Sequence, residues 1–483
     1  MNRAQLLAPG RLALTAAGAA GLVALATLAP ADGAPTGPQG PQGEGASLAP
    51  VSSASTTCPG PELSGVRDVD DIEVAPRLAV ATAPQSMLSV TPGGASGLAA
   101  AGQKVTPPPE RGAATSLPLA ANRPATVEAS GALAPGLAAG QEWVSTRPEL
   151  RGLATVPCAA PGADLWLLAG GGAPGRQERL VLTNPGANEV TVDLEVLGRK
   201  GPVATPTGGT VVPAGGRTAL LVDAVTGAEE SPAIRVRATG GSVRAVLSDI
   251  WLDGSTPVGA ETSLPTAKPA TRQVIPAAAV GTSGSLRIAV PGEQQAVVSA
   301  RILGKDGPVP VPGGGVARVS GRSTGELPLT GLKGGTYAVE VTSDVPVVAS
   351  LWSTGRVGSG LGDFVWGAST EPAAGLVGGA FPRTEGVTRT VSVVASRAPA
   401  TAELAWLTGG QWRTRSLALA QDTGVTVELG AAEAVFVRRS AGSGDVRAGV
   451  VSMAGVPGAR LVSVSPLVAA AEVSRVSRAH PMP

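Results

Sequence analysis

One stretch of this chain recurs at intervals of about a hundred residues, and that interval limits what the chain can fold into. Residues 194–203 read LEVLGRKGPV, residues 300–309 read ARILGKDGPV, and residues 404–412 read LAWLTGGQW. Each is an apolar run ending in a tight, glycine-containing turn, which is how a strand enters a hairpin. Solenoid repeats are roughly 20–50 residues long, so the longer period matches whole β-sandwich domains instead.

The surroundings of the motif repeat too. Residues 180–183 before Asn184-Pro185-Gly186 correspond to residues 286–290 before Pro291-Gly292. Residues 234–239 correspond to 337–342, and 242–248 to 344–350, with Trp251 and Trp352 following. The third copy keeps 390–395, 402–407, 425–429, 434–438 and 445–452 but lacks the tryptophan. In the first copy Val190, Val192, Leu194 and Val196 alternate with Thr191, Asp193 and Glu195, the period of a half-buried strand. Short strands of this kind bury their apolar faces when two antiparallel sheets stack. The turns are too short and too glycine-rich for the helices that a parallel sheet needs.

The expected fold is therefore all-β: tandem immunoglobulin-like β-sandwich domains after an N-terminal signal or anchor and a linker. The boundaries read as follows: signal peptide or membrane anchor 1–31, flexible linker 32–57, irregular β-containing region 58–163, sandwiches 164–272, 273–383 and 384–473, tail 474–483. Within 58–163, strands are expected at 72–83, 126–130 and 142–146.

Arg3 and Arg11 precede an uncharged run at 12–28 and the small residues Ala29-Pro30-Ala31, an export signal that is either cleaved or kept as an anchor. Membrane contact is expected through this segment alone. Residues 34–57, rich in Pro, Gly, Ser and Ala, read as a spacer; Gly37, Gly40 and Gly43 are too few triplets for a collagen helix. In an exported chain, Cys58 and Cys158, the only two cysteines, are most economically a disulfide, with two free thiols as the alternative. The 37 basic and 36 acidic side chains nearly cancel, leaving no field to attract nucleic acid.

The inventory of reactive groups is thin, and the expectation is no enzyme, no cofactor and no metal. Asp68, Asp70 and Asp71 cluster in sequence, but neighbouring positions diverge, so a solvated acidic loop is expected. Residues 249–261 lack the dense acidic spacing of a calcium loop. The sole histidine, His480, lies in the tail, which leaves serine catalysis and Cys/His metal sites without a partner. Gly170-Gly171-Gly172 has no following Gly-Lys-Ser and reads as a turn rather than a phosphate cradle. Trp251 and Trp352 are expected to pack at sheet ends. Trp406 and Trp412 flank the third hairpin, and period two would set them on one face as a glycan-stacking pair.

Cys58-Pro59-Gly60-Pro61-Glu62, then residues 158–166 reading CAAPGADLW, then Thr183-Asn184-Pro185-Gly186 resemble a family of actinobacterial exported proteins classed as a domain of unknown function. The resemblance covers nearly all of the chain after the export signal, both cysteines included. It implies a cell-envelope protein and transfers no catalytic residue. The function expected is a non-enzymatic, exported scaffolding or interaction module whose partner is an envelope protein. The alternative is an accessory binder of cell-wall glycan assisting an envelope-building enzyme.

Overall fold

The computed structural model describes residues 47–119, 124–205, 208–329, 331–356, 360–456 and 459–476. The export signal, most of the linker and residues 477–483 of the tail, His480 among them, lie outside the described residues. Residues 48–474 form one compact unit. Among the described residues no helix is long and apolar enough to cross a membrane.

The expected all-β fold is present, built from antiparallel sheets. Residues 164–263 show the plan. One sheet runs Asp164–Leu168, Ala233–Thr239, Val190–Gly198, Gly201–Val203, with Thr210–Val212 also on Val190–Gly198. The other runs Arg217–Leu221, Arg176–Thr183, Arg244–Asp253, Thr256–Ser263. Leu180, Leu182, Val190, Val192, Ile234, Val236 and Leu247 fill the space between them. The alternation read at 190–193 holds, with both valines buried and Thr191 and Asp193 exposed. Each repeated motif is a strand and its hairpin partner: Gly198 pairs with Gly201, Gly304 with Gly307 and Thr408 with Gln411.

The same strand order occurs four times. Ser53–Cys58, all but its last residue within the expected flexible linker, forms one sheet with Ala125–Ser130, Gly97–Ala100 and Gln103–Lys104 of the region expected to be irregular. Ala114–Pro118, Arg77–Thr82, Leu137–Arg147 and Leu150–Pro157 form the other. Residues 72–76 lie outside the ladder expected there. The third sandwich has a further departure: Gly335–Thr354 is one continuous strand serving both sheets, where two strands were expected. Its counterpart in the second sandwich is broken at Gly240, φ +84°, and residues 343–346 contain no glycine to break it.

Each sandwich ends in a strand that the sequence left unread: Leu150–Pro157, Thr256–Ser263, Phe364–Ala368 and Ala459–Pro466. These four strands touch in a closed cycle, first to second to third to fourth and back to first. Contact is close enough to require glycine. A Cβ on Gly152 would stand 2.3 Å from the Ala260 carbonyl oxygen, and one on Gly259 would stand 2.7 Å from the Phe364 nitrogen. Between neighbours, the outer face of one sheet packs on the next sandwich. Trp166, Leu168 and Leu197 meet Ala289, Val348 and Trp366; Val274 and Leu303 meet Val394; Ala405, Leu407 and Phe436 meet Ala79, Ala81 and Ala138. Between the first two sandwiches a strap, residues 59–74, places Leu63 among Trp143, Leu150, Ile250 and Ala260.

Candidate functional site

Cys58 and Cys158 are joined as a disulfide. One closes the first strand of the first sandwich and the other follows its last, so the bond ties the two sheets together where the chain leaves for the second sandwich. Trp406 and Trp412 do not share a face. The two-residue turn sets Leu407 opposite Trp412 and Trp406 opposite Arg413, so counting by two through the turn fails. Trp406 packs on the core of the fourth sandwich. Trp412 lies against Phe436, with centroids 5.9 Å apart, and its Nε1 donates to the Gly112 carbonyl of the first sandwich at 2.8 Å. Both rings are half-buried. Trp251 and Trp352, 6.4 Å apart, pack together between the second and third sandwiches.

The motifs considered for chemistry serve the fold. Gly170 and Gly171 do present their N–H groups to an anion, and that anion is the chain's own Glu178, at 2.8 Å from each. Asp68, Asp70 and Asp71 are exposed, and Asp71 accepts from Gly65 N at 2.7 Å. The ends of the calcium-loop stretch diverge: Asp249 pairs with Arg176, Asp253 with Arg356, and Glu261 turns inward. Among the described residues no three His, Cys, Asp or Glu side chains gather to hold a metal.

Buried charges concentrate where sandwiches meet. Glu142 of the first sandwich accepts Arg389 Nη1 and Nη2 of the fourth at 3.0 and 3.1 Å, Thr384 Oγ1 at 2.7 Å and Thr155 Oγ1 at 2.8 Å. Asp249 takes Arg176 from two nitrogens and Trp366 Nε1 of the third sandwich at 2.8 Å. At the centre of the cycle, Glu261 accepts Ser463 Oγ at 3.0 Å and Val464 N at 3.3 Å, and Ser463 Oγ in turn accepts Thr155 N at 2.9 Å. Asp363 accepts Val462 N at 2.7 Å and Ala260 N at 3.4 Å. All four sandwiches therefore contribute to this one network. Burial raises both Glu261 and Asp363 well above the usual carboxylate range, and nearby Asp363 further opposes ionisation of Glu261. In the strap, Glu62 is fully buried and accepts Gln141 Nε2 at 2.6 Å and Trp143 Nε1 at 3.1 Å, and desolvation lifts it to about 7.

Comparison with known proteins adds a family. Residues 112–430 match a family described as "Family of unknown function (DUF5719)". The chain belongs to this family. No curated protein matches it. Among solved structures, a chain from "Structure of infectious bursal disease virus Gt strain" aligns at 10% identity over 91% of this chain and 85% of that one, with a TM-score of 0.09, which carries no argument about fold. The match to the family of unknown function takes in Cys158 and Asn184-Pro185-Gly186 but stops short of Cys58, a narrower span than the motifs suggested. It includes Glu142, Asp249, Glu261, Asp363 and Arg389, so most of the boundary-bridging charges are inside it. Ser463 lies beyond it.

Exposed turns and several cavities offer places for a ligand or partner. The hairpin turns at the sheet ends are exposed. The connections between sandwiches converge around a cavity of about 560 Å³ lined by Arg244. The sequence reading missed this arginine because nothing in Val243-Arg244-Ala245 marks it as buried.

Proposed function

We propose that this protein is a non-enzymatic scaffold of the cell envelope, exported and acting through its exposed loops as an interaction module. The observation that supports this most is how the buried ionisable groups are used. Glu142, Asp249, Glu261 and Asp363 each bond across a sandwich boundary, work that fixes four sandwiches against one another. A rigid body with loops at its sheet ends suits presentation to a partner, an analogy of fold rather than of site. The disulfide fits an oxidising, extracytoplasmic compartment.

The test is proximity labelling from the full chain in its native envelope, beside Gly152→Val, which drives a side chain into the Ala260 backbone where the first and second sandwiches touch. The expected result is a reproducible set of envelope proteins labelled by the wild type and lost in the variant. Retention of the protein on purified wall polymer instead would move the reading to a glycan-binding accessory. Turnover of an envelope substrate by the purified protein would overturn it.

A further inference from the structure

Three connections and the segment after the last strand meet around one cavity: Pro157 and Ala159 leaving the first sandwich, residues 264–267 leaving the second, residues 369–377 leaving the third, and residues 466–472. Its volume, about 560 Å³, is that of a small-molecule site. The walls are mainly apolar, with Leu264, Ala267, Leu376, Val377 and Leu467 among them. The rim at Glu371, Ala374, Gly375 and Ala469 is exposed, so the cavity is open to solvent.

One cation lies in this apolar lining. Arg244 is 5% exposed. Its Nη2 donates to the Pro157 carbonyl at 3.2 Å, its Nη1 reaches the carbonyl of adjacent Ala245 at 3.5 Å, and its buried Nε has no acceptor. Burial alone lowers its pKa to about 10, with no carboxylate holding it up. The two carboxylates that line the cavity are engaged elsewhere: Glu371 accepts Lys268 N at 2.9 Å, and Glu472 accepts Ser89 N at 2.8 Å. Two other buried arginines, Arg389 and Arg447, are better served. Arg389 faces Glu142. Arg447 stands in Val446-Arg447-Ala448 as Arg244 does in Val243-Arg244-Ala245, and it donates to the Thr370 carbonyl at 2.8 Å and to Ser396 Oγ at 2.9 Å. A buried guanidinium without a counter-charge is costly unless an anion arrives to share it. Its planar fork matches a carboxylate, and the apolar walls ask for a hydrocarbon body behind that head.

We propose that this cavity binds a small amphipathic carboxylate, its head group on Arg244 and its apolar body along the converging connections. The site is independent of the scaffold reading. Equilibrium dialysis of the full, disulfide-intact chain against decanoate, decyl phosphate and decanol tests it. Decanoate is expected to bind saturably at one site, with decanol at least ~10-fold weaker for want of the charge-assisted hydrogen bonds. Arg244→Met, which keeps the volume and removes the charge, should weaken decanoate at least ~10-fold and leave decanol unchanged. Ala267→Leu, which keeps the arginine and narrows the cavity, should weaken both, and it decides the matter if the methionine variant does not fold. Absence of saturable decanoate binding overturns the proposal, as does decanoate binding undiminished in either folded variant. Tighter binding of decyl phosphate would reassign the head group to phosphate and overturn the carboxylate.

Discussion

At the scale of single residues, this chain places ionisable side chains where their protonation is linked to folding. Glu62 is the clearest case, lifted to about 7 by complete burial. The folded state holds its proton at pH values where the unfolded chain, near 4.5, has released it. Its protonated form is therefore compatible with folding at low pH, and stability falls as pH rises from about 4.5 through about 7. The effect is at most ~3 kcal/mol, from ~1.4 kcal/mol per pKa unit. Urea midpoints of wild type and Glu62→Gln at pH 5 and pH 8 check this. The wild type should lose more stability across the interval, and equal losses would sink the assignment. The pair Glu142–Arg389 behaves differently because each partner answers the other. Arg389→Met should cost ~3–5 kcal/mol by stranding a buried carboxylate, and adding Glu142→Gln should recover most of it. A double-mutant cycle in urea reads the coupling, and additive losses would show that the pair is not a unit.

At the scale of elements, the legible strands were those with one wet face. Val190–Asp193 alternates because solvent lies on one side of that stretch, and the repeated hairpins show themselves by their glycines. The final strands were illegible for the opposite reason. Thr256–Ser263 is buried at nearly every position, and TPVGAETS carries neither alternation nor an apolar run. Its Glu261 reads as a surface residue until Ser463 and Val464 are placed beside it. In the first sandwich, SASTTC is too polar and GLAA too short and small to announce a strand. Cys58 and Cys158 were readable as a pair by count alone, whereas Arg244 gave no sign. The close approach of final strands makes Gly152 a sharp probe. Gly152→Val drives a side chain into the Ala260 backbone and should cost roughly 2–4 kcal/mol, mostly overpacking. A thermal melt within about 1 °C of wild type would mean that the strands move apart freely.

At the scale of the whole molecule, the question is whether four sandwiches fold as four domains or as one. Joined in a line, only three boundaries would be needed. The fourth, between the last sandwich and the first, buries Phe436, Ala405 and Leu407 on Ala79, Ala81 and Ala138, and adds the Glu142–Arg389 pair and the Trp412 bond to Gly112. Closing the cycle costs chain entropy that grows only slowly with length, so a boundary of this kind repays it. It also removes any free end from which unfolding could begin sandwich by sandwich. Calorimetry of the disulfide-intact protein should therefore show one transition, with a calorimetric to van't Hoff enthalpy ratio near ~1; four independent sandwiches would give ~4. Ending the chain at Leu376 removes the fourth sandwich and uncovers the apolar face of the first, so the three that remain should melt lower and over a broader range. If they melt at the wild-type temperature, the closing boundary contributes nothing to stability. The sandwiches would then be independent units that touch, and the presentation of loops on one rigid body would lose its physical basis.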